Sequence, residues 1–388
     1  MVTSDQRSSG QPQISVVIPA HNAERYIGSA IESVLNQTVA NVELIVVNDG
    51  STDATESRIQ EFSDPRVRCI TQINQGPSAA RNAGLTHCTG KYVAFLDADD
   101  IWLPQRLQRQ LDTIAREGVQ AVFSWIGVID ENGTPVEDSP LLEWFNRECP
   151  TQAEMIRNFF FMGNFLCASA GLIETELLNS VGGFCLTAIQ AQDFHMWIKL
   201  AKKTRIAVLP EPLVRYRVLR DSSITHDSAN AARIRFENQQ NYRTLFMEIP
   251  EQLFRDAFPS RKRKASHSST EHLGLEKAFL YLEHSESYIR YIGLEMLYTL
   301  MQDPQVVDVA QSVYNFTLPD VFALTRDSAA TDIVTGYEEE LKQLKAWAAS
   351  LQEAVHYWRH IAEQQQETHP EKIVRKLRSL AKRAAMFH

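Results

Sequence analysis

The sequence predicts an α/β protein that begins with an open, doubly wound, mostly parallel sheet. Through the first hundred residues, short apolar runs rich in β-branched residues alternate with amphipathic helical patterns. The runs are almost continuously apolar, which is typical of strands covered by helices on both faces. Right-handed crossovers between such strands produce a sheet that binds its ligands at the carboxyl ends of the strands.

Each predicted element follows from its own stretch of sequence. Six apolar runs are expected to form strands: residues 14–18, 42–47, 67–70, 92–96, 121–128 and 206–209. Helical patterns occupy residues 24–36, 53–62, 77–88 and 194–202. A further helix is expected after Trp102. Asp53 is a capping signal for the second helix, and Pro77 suits the first turn of the third.

Length and composition restrict the class of protein. The 388 residues exceed one ordinary compact core and predict two or three structural units. A formal net charge of −9 argues against a chain that binds nucleic acid over its whole surface, so no nucleic-acid partner is expected. Five scattered cysteines without a C-x-x-C pair indicate neither a disulfide framework nor a zinc site. Together with a polar start that lacks a signal-peptide core, they favour the cytoplasm.

The chain is expected to contain five segments. They are a loose tail over residues 1–13, the sheet domain over 14–228, a helical extension over 229–330, a coiled-coil helix over 335–363 and a basic amphipathic helix over 370–388. The heptad spacing of the coiled coil predicts a homo-oligomer. The last helix either lies on an anionic membrane surface, at the inner face of the cytoplasmic membrane, or packs on the coiled coil. No segment is apolar for the roughly 20 residues that a membrane span needs.

Two common nucleotide-binding signatures are missing from the predicted sheet. The first strand ends in Ile18-Pro-Ala-His-Asn22 and not in the G-x-G-x-x-G turn of dinucleotide-binding proteins. Gly84 and Gly90 do not belong to a phosphate loop, because a strand follows Lys91 where that loop needs a helix. Neither an NAD-dependent enzyme nor a P-loop protein is expected.

Acidic residues follow two of the predicted strands. Asp49 ends the second strand, and Asp97, Asp99 and Asp100 follow the fourth. Any one of them alone can be explained as a turn residue or a helix cap. Together they place several carboxylates at one edge of the sheet, where a cation or sugar hydroxyls must balance them. Oxygen ligands of this kind select Mg²⁺ or Mn²⁺, which implies a divalent metal that carries a diphosphate.

Six motifs, in order and spacing, resemble glycosyltransferase family 2, the inverting nucleotide-sugar transferases of GT-A fold. They are Val16-Val-Ile-Pro-Ala-His-Asn22, Val47-Asn-Asp-Gly-Ser-Thr-Asp53, Gly76-Pro-Ser-Ala-Ala-Arg-Asn-Ala-Gly84, Phe95-Leu-Asp-Ala-Asp-Asp100, Val181-Gly-Gly-Phe184 and Gln192-Asp-Phe-His-Met-Trp197. The resemblance covers about residues 14–225. It implies transfer of a sugar from a nucleotide-diphosphate sugar to a saccharide or lipid-linked acceptor, in the manner of bacterial surface-polysaccharide enzymes.

The resemblance also implies which residues hold the nucleotide sugar. Pro19 and Asn22 would line the nucleotide pocket, and Asp49 would bind the base. Arg81 would lie near the nucleotide, and Asp97 would face the ribose. All five positions match the family motifs residue by residue.

The metal ligand and the general base are implied in the same way. Asp99 would bind Mg²⁺ or Mn²⁺ and form the family's D-x-D pair with Asp97. Asp193 would be the catalytic base, because inversion needs one base on the acceptor side to take the hydroxyl proton. A simple helix-capping role for Asp193 is the alternative.

Departures from the family pattern leave a second function open. Gln192 stands where Glu is more common, and Leu219 stands in a segment where the family often has a His. His21 and His195 are expected to be hydrogen-bonded polar residues near the cleft and not metal ligands. The alternative to an enzyme is a catalytically silent sugar-nucleotide-binding scaffold that assembles through its coiled coil. The presence of Asp49, Asp97, Asp99 and Asp193 favours the enzyme, because a scaffold has no reason to keep four energetically costly acids.

Overall fold

The computed structural model describes residues 12–219, 230–259 and 270–326. The chain divides into two compact units, Met1–Lys277 and Ala278–His388. The predicted coiled coil over 335–363 and the predicted basic helix over 370–388 lie outside the described residues. The first unit holds every residue of the six motifs.

Eight strands of the described residues form one sheet. Their bounds are β1 Ile14–Ala20, β2 Val42–Asp49, β3 Val67–Gln72, β4 Tyr92–Phe95, β5 Ile101–Trp102, β6 Ala121–Ile129, β7 Gly171–Glu174 and β8 Ile206–Arg217. Their order across the sheet is β3-β2-β1-β4-β7-β6-β8-β5. Strands β3, β2, β1 and β4 are parallel neighbours, as are β6 and β8, whereas β7 is antiparallel to β4 and β6. The predicted α/β sheet is therefore confirmed, as a mixed sheet.

Helices connect and cover these strands. In the first unit they are α1 Ile27–Leu35, α2 Thr55–Gln60, α3 Pro77–Leu85, α4 Arg106–Glu117, α5 Pro140–Phe145, α6 Gln152–Met162, α7 Thr175–Val181, α8 Gln192–Lys203, α9 Ala231–Phe246 and α10 Glu251–Ala257; α11 Thr270–Leu282 crosses the boundary between the units. A 3₁₀ turn, Ala168–Ala170, precedes β7. Local sequence sets several starts: Pro77 opens α3, and the side chains of Ser139 and Thr151 cap α5 and α6.

Two strands differ from the sequence expectation. Strand β7 is not predicted, because its four residues lie within one long apolar window that also includes the end of α6. Strand β8 continues through Pro210 and Pro212, which the sequence pattern treats as its end. The register beside β6 jumps there, from Leu209 opposite Ser124 to Pro212 opposite Trp125. The two prolines fit because proline is tolerated where a bulge interrupts the ladder of hydrogen bonds.

The sheet order brings the acidic segments to one edge. Strands β2 and β4 flank β1, and all three are parallel, so their carboxyl ends lie side by side. Asp49 is the last residue of β2, and Asp97 follows the end of β4 by two residues. The prediction that both acidic segments share one edge of the sheet is confirmed.

A layer of helices packs beside this sheet within the first unit. Helix α8 contacts α6 and α9, and α10 contacts α6. Trp197 of α8 is fully buried and meets Phe123 of β6 edge-on, as expected of a core residue. Phe159 and Phe160 of α6 are also buried, but Phe161 is 49% exposed. Phe161 is therefore only half covered, although its ring packs against those of Phe160 and Phe258.

The second unit is helical in its described part. It contains the end of α11 together with α12 Ser287–Leu300, α13 Pro304–Tyr314 and α14 Leu318–Arg326. Gly293 lets α12 approach α11 closely, since a Cβ there would lie 2.6 Å from the carbonyl oxygen of Ala278. Phe279 packs its ring against Tyr314. Among the helices described in either unit, none is long and apolar enough to cross a membrane.

Candidate active site

Three carboxyl groups crowd the end of β4. Asp97 is partly exposed, Asp99 is mostly covered, and Asp100 is buried. Asp100 accepts hydrogen bonds from Ser169 Oγ at 2.6 Å and from the backbone N–H of Arg217 at 2.8 Å. Burial and the charge of Asp97 raise the pKa of Asp99 to about 6, and burial raises the pKa of Asp100 well above its usual range. The positive charge near Asp99 and Asp100 therefore does not offset their burial.

Arg217 is one of two buried arginines beside this cluster. Its Nε donates to the backbone carbonyl of Asp99 at 2.7 Å, and one terminal nitrogen donates to the carbonyl of Asp130 at 3.1 Å. Its guanidinium also lies over the ring of Tyr26, 4.6 Å from the centroid. Arg217, the last residue of β8, thus fixes the segment that follows β4. Its charge lowers the pKa of Asp99 and so opposes the effect of burial.

Arg81 joins the acidic cluster to the start of α8. One terminal nitrogen donates to Asp97 Oδ1 at 2.5 Å, and the other donates to Gln192 Oε1 at 3.0 Å. Arg81 is 4% exposed, so this ion pair lies largely out of water. Because Gln192 is neutral, Asp97 is the one carboxylate among the described residues that forms an ion pair with Arg81, although the charge of Arg81 also acts on Asp193.

Two of the motifs are locked together behind Arg81. Asn82 Oδ1 accepts from the backbone N–H of Phe184 at 2.7 Å, and Asn82 Nδ2 donates to the carbonyl of the same residue at 2.9 Å. Gly183 is required there, because a Cβ would lie 2.4 Å from Asn82 Oδ1. The ring of Phe184 then lies under the guanidinium of Arg81, 5.6 Å from its carbon. These motif residues support the orientation of Arg81.

Asp49 organises the loop that precedes α3. Its carboxylate is 3% exposed and accepts hydrogen bonds from Gln72 Nε2 and from the backbone N–H groups of Gln75 and Gly76, at 2.8 to 2.9 Å. Gly50 follows in a left-handed conformation, with φ of +67°. Asp49 is therefore a well-anchored residue at the rim of the sheet, and its implied role in base binding stays a prediction.

Asn22 and Pro19 occupy the end of β1 and the loop after it. Pro19 pairs with Val47 inside the sheet and is partly exposed. Asn22 is exposed and accepts from the backbone N–H of Thr52 at 2.8 Å, while its own N–H donates to Ser51 Oγ at 3.0 Å. The structure thus joins the loops after β1 and β2, and it places both residues beside Asp49 at the same edge.

The implied base, Asp193, is the second residue of α8. Its Oδ2 accepts a hydrogen bond from Asn164 Nδ2 at 2.9 Å, and its Oδ1 accepts from the backbone N–H of Phe194 at 2.7 Å. Burial raises the pKa of this carboxyl to about 6, although the charge of Arg81 opposes that effect. A carboxyl group that is ionised at neutral pH yet has a raised proton affinity is suited to general base catalysis.

The loop in front of Asp193 is held by α9. Glu237 is 4% exposed, and its carboxylate accepts hydrogen bonds from three successive backbone N–H groups, those of Ile189, Gln190 and Ala191, at 2.8 to 2.9 Å. Asn241, one turn later, donates to the carbonyl of Ala191 at 2.8 Å. Helix α9 therefore determines where α8 begins and where the Asp193 side chain stands.

The carboxyl groups after β4 fit a divalent cation that is completed by substrate. Among the residues that the structure describes, no three acidic, His or Cys side chains converge closely enough to enclose a metal ion alone. Mg²⁺ is typically held by one or two carboxylates, with waters and substrate phosphates as its other ligands. The oxygen donors of Asp97 and Asp99, and the raised pKa of Asp99, match that arrangement.

The structure brings some predicted site residues together and leaves others apart. Asp97, Arg81 and Asp193 belong to one connected group, whereas Asp49 and Asn22 stand on the neighbouring loops. His21 is hydrogen-bonded as expected, with Nδ1 at 2.9 Å from the carbonyl oxygen of Asp49. For the other histidine the expectation fails at one atom: the buried Nδ1 of His195 has no partner among the described residues.

Several functional neighbours are not visible to sequence reasoning. Asn164 lies 29 residues from the group that it holds, and Glu237 lies 46 to 48 residues from those that it holds; both are outside any motif. Arg217 lies in the segment where the family often has a His. Its contacts depend on the pairing of β8 with β6. The one indication in the sequence is that Glu237 and Asn241 stand one turn apart on the same face of α9.

Comparison with known proteins agrees with this geometry. Residues 15–173 match the family described as Glycosyl transferase family 2. The chain is 30% identical over 197 residues to the UDP-Glc:alpha-D-GlcNAc-diphosphoundecaprenol beta-1,3-glucosyltransferase WfgD of Escherichia coli, covering 50% of this chain and 72% of that protein. It is 29% identical over 246 residues to the putative teichuronic acid biosynthesis glycosyltransferase TuaG of Bacillus subtilis, covering 61% and 92%.

A solved structure shows the same fold. The chain superposes on residues 1–349 of S. aureus TarS, crystallised in complex with UDP-GlcNAc, with a TM-score of 0.51, 19% sequence identity, and coverage of 84% of this chain and 92% of that one. Fold, motif order and sequence similarity therefore agree. The chain belongs to glycosyltransferase family 2, and the sequence prediction of a glycosyltransferase is confirmed.

Proposed function

We propose that the protein is an inverting, metal-dependent glycosyltransferase that moves a sugar from a nucleoside-diphosphate sugar to a saccharide or lipid-linked acceptor. The observation that carries this proposal is the chain of contacts from Asp97 through Arg81 to Gln192, the neighbour of Asp193. It joins a donor-side acid to the residue next to the implied base. A silent scaffold has no use for such a connection.

The donor would bind along the edge formed by β1, β2 and β4. Pro19, Asn22 and Asp49 would surround the base, and Asp97 would accept from the ribose hydroxyls. Arg81 holds Asp97 in place, so the ribose would meet a carboxylate that cannot rotate away. We take UDP as the first nucleotide to test, because UDP-Glc is the donor in the name of WfgD.

Asp99 would hold a Mg²⁺ or Mn²⁺ ion next to the diphosphate, while Asp97 faces the ribose. When bound, such an ion supplies positive charge that stabilises the leaving nucleoside diphosphate. The other groups act independently of it. Arg217 fixes the backbone of Asp99, and Ser169 anchors the side chain of Asp100, so the segment that carries Asp99 is held at two points.

Asp193 would act on the acceptor side. Its carboxylate would accept the proton of an acceptor hydroxyl while the hydroxyl oxygen forms a bond to the anomeric carbon and the bond to the diphosphate oxygen breaks. One displacement of this kind inverts the anomeric configuration. Asn164 would keep one carboxylate oxygen oriented during proton transfer, because it donates to Oδ2 from a fixed position.

The biological context that we propose is synthesis of a cell-surface polysaccharide at the cytoplasmic face of a membrane. Support comes from two relatives, whose names refer to an undecaprenol-linked acceptor and to teichuronic acid. Self-association through residues 335–363 and binding to anionic lipid through residues 370–388 would hold the enzyme beside a lipid-linked acceptor. The sequence of these two segments is their support.

Donor binding tests the proposal first. Thermal unfolding of the full chain would be followed with UDP, GDP and dTDP, each with and without Mn²⁺. A ligand at 100 times its Kd raises the unfolding free energy by about 2.7 kcal/mol. One nucleotide is expected to stabilise the protein, and more strongly with Mn²⁺. The absence of stabilisation by all three would contradict the proposed function.

Product stereochemistry tests the mechanism separately. An α-linked nucleotide sugar is expected to yield a β-linked product, as read from the anomeric coupling constant by NMR. An α-linked product means retention, which a single displacement with one base cannot give. That outcome would exclude the role proposed for Asp193 while leaving the donor site unaffected.

A further inference from the structure

An exposed tryptophan is connected to the implied base through one residue, Asn164. Trp144 is 41% exposed and lies on α5, a helix in which no residue is buried. A large aromatic side chain loses favourable free energy when it stays in water, at about 25 cal/mol per Å² of apolar surface. Its exposure next to a site is thus a reason to look for a ligand that covers it.

Helix α5 is held in place by polar contacts. The side chain of Asn146 donates to the carbonyl of Ile126 at 2.9 Å and accepts from the N–H of the same residue at 2.8 Å. The indole N–H of Trp144 donates to the carbonyl of Asn164 at 2.7 Å. Because the indole N–H and the end of α5 are both held by hydrogen bonds, the ring is preorganised. A ligand would bind without first having to order it.

The contacts of α5 connect it to both sides of the site. Asn164, whose carbonyl receives the indole N–H, also donates its side-chain amide to Asp193. On the next position of the helix, Phe145 packs against Tyr216 with ring centroids 5.8 Å apart. Tyr216 directly precedes Arg217, which holds the backbone of Asp99. Asn164 therefore bridges Trp144 and the proposed base.

We propose that Trp144 forms a subsite for the acceptor sugar, with a pyranose ring stacked on the exposed indole face and a hydroxyl of that ring directed to Asp193. The inference rests on the proposed function and adds the class of its acceptor, a pyranoside. The C–H groups on one face of a pyranose carry partial positive charge and match the negative face of an aromatic ring. The hydroxyls at the rim remain free for polar groups.

A membrane surface is the other partner that an exposed tryptophan can contact. Two observations favour the sugar. The indole N–H is already bonded to Asn164 and is not free for a lipid headgroup. Residues 137–148 around Trp144 contain four acids and one cation, Arg147, whose Nε donates to the carbonyl of Trp144. This net negative charge is unfavourable at an anionic bilayer.

Binding of simple pyranosides tests the subsite. Full-length protein with Mn²⁺ and the nucleoside diphosphate that stabilises it would be mixed with the methyl glycosides of glucose, galactose, mannose and N-acetylglucosamine. Saturation-transfer NMR would report which sugar protons contact the protein, and a titration would give the Kd. The variants are Trp144→Ala and Trp144→Phe, with Tyr298→Ala as a control, since Tyr298 is a 66% exposed aromatic in the second unit.

The wild type is expected to bind at least one pyranoside through the C–H protons of one face. Trp144→Ala should weaken that binding by about three- to tenfold, which is the usual contribution of an aromatic contact. Trp144→Phe should restore part of it, and the control should have no effect. Nucleotide stabilisation should be the same in all four proteins.

Three outcomes would overturn the inference. They are no pyranoside binding by a wild type that binds nucleotide, binding that is unchanged in Trp144→Ala, and loss of binding to anionic vesicles in Trp144→Ala without loss of pyranoside binding. The last of these would assign the residue to a membrane. A wild type that binds no nucleoside diphosphate refutes the proposed function, and this result is distinguishable from the other three.

Discussion

Asp193→Asn changes one atom of the implied base and tests two consequences at once. The amide can still accept the hydrogen bond from the backbone N–H of Phe194, but it cannot take a proton from an acceptor hydroxyl. General base catalysis contributes about 10² to 10⁴ in rate. The kcat of the variant is therefore expected to fall by that factor, with donor affinity unchanged. In the wild type, kcat should rise with pH to a plateau above about pH 6.

The same substitution is expected to change how stability depends on pH. Burial raises the pKa of Asp193 from 3.8 to about 6, and a pKa difference of one corresponds to about 1.4 kcal/mol, so the folded carboxylate carries a cost of about 3 kcal/mol at pH 8 and about 1 kcal/mol at pH 4.5. Between these two pKa values the folded state binds more protons than the unfolded state, so this group makes stability fall as pH rises through that range. The amide of the variant turns its NH₂ group toward Asn164 Nδ2 and loses that hydrogen bond at both pH values. The stability of the variant relative to the wild type should therefore rise by about 2 kcal/mol between pH 4.5 and pH 8.

Urea denaturation of both proteins at the two pH values measures this difference. Asp112→Asn is the matched control, because Asp112 is an exposed aspartate on α4 that makes one hydrogen bond, to Gln108. It should change neither kcat nor the pH dependence of stability. The reasoning is refuted if the stability difference between Asp193→Asn and the wild type is the same at both pH values. A variant with wild-type kcat would remove the base assignment.

Four further changes have expected outcomes. Asp99→Asn should abolish turnover and remove the Mn²⁺-dependent part of nucleotide stabilisation in thermal unfolding; an unchanged Mn²⁺ effect would contradict its role as metal ligand. Gln192→Glu should draw the guanidinium of Arg81 away from Asp97 and raise the KM for the nucleotide sugar several-fold. An unchanged KM would show that Asp97 and residue 192 do not compete for Arg81. Glu237→Ala should leave three backbone N–H groups, one buried and two partly buried, without an acceptor and lower the unfolding free energy by about 2 kcal/mol. Glu237→Gln should recover part of this loss, and in Glu237→Ala the loss of kcat should exceed the change in donor KM. Truncation after Glu363 should preserve transfer to a water-soluble acceptor while weakening sedimentation with anionic vesicles, and equal vesicle binding by both proteins would remove the membrane role of the C-terminal segment.

Much of the sheet follows from local sequence. The first four strands begin at the predicted residues, because continuous apolar runs bounded by polar turns leave little choice of element. The antiparallel strand β7 does not follow, since its four residues are too short to have a period of their own. The length of β8 could not be predicted either, because its two prolines are accommodated only by a bulge against β6. Both failures come from pairing between distant segments.

The same distinction applies to the site. Acids at strand ends could be predicted, since the parallel topology brings carboxyl ends together, and Asp49 and Asp97 lie as expected. The groups that orient them could not. Asn164 reaches Asp193 only because α6 and α8 pack together, and Trp144 stands on a six-residue helix that has no buried residue. No repeating pattern in the sequence reports contacts of this kind.

The hydrogen bonds from α9 to the loop before α8 set a limit on how the gene can be divided. A fragment that stops at β8 would encode every strand and every carboxylate of the motifs, yet it would lack Glu237 and Asn241. It would bind nucleotide on an intact edge and present Asp193 from an unsupported loop. Chimaeras that exchange acceptor specificity among relatives should accordingly take their junction after Phe246, at the end of α9, so that the base and its supporting helix are inherited from one parent.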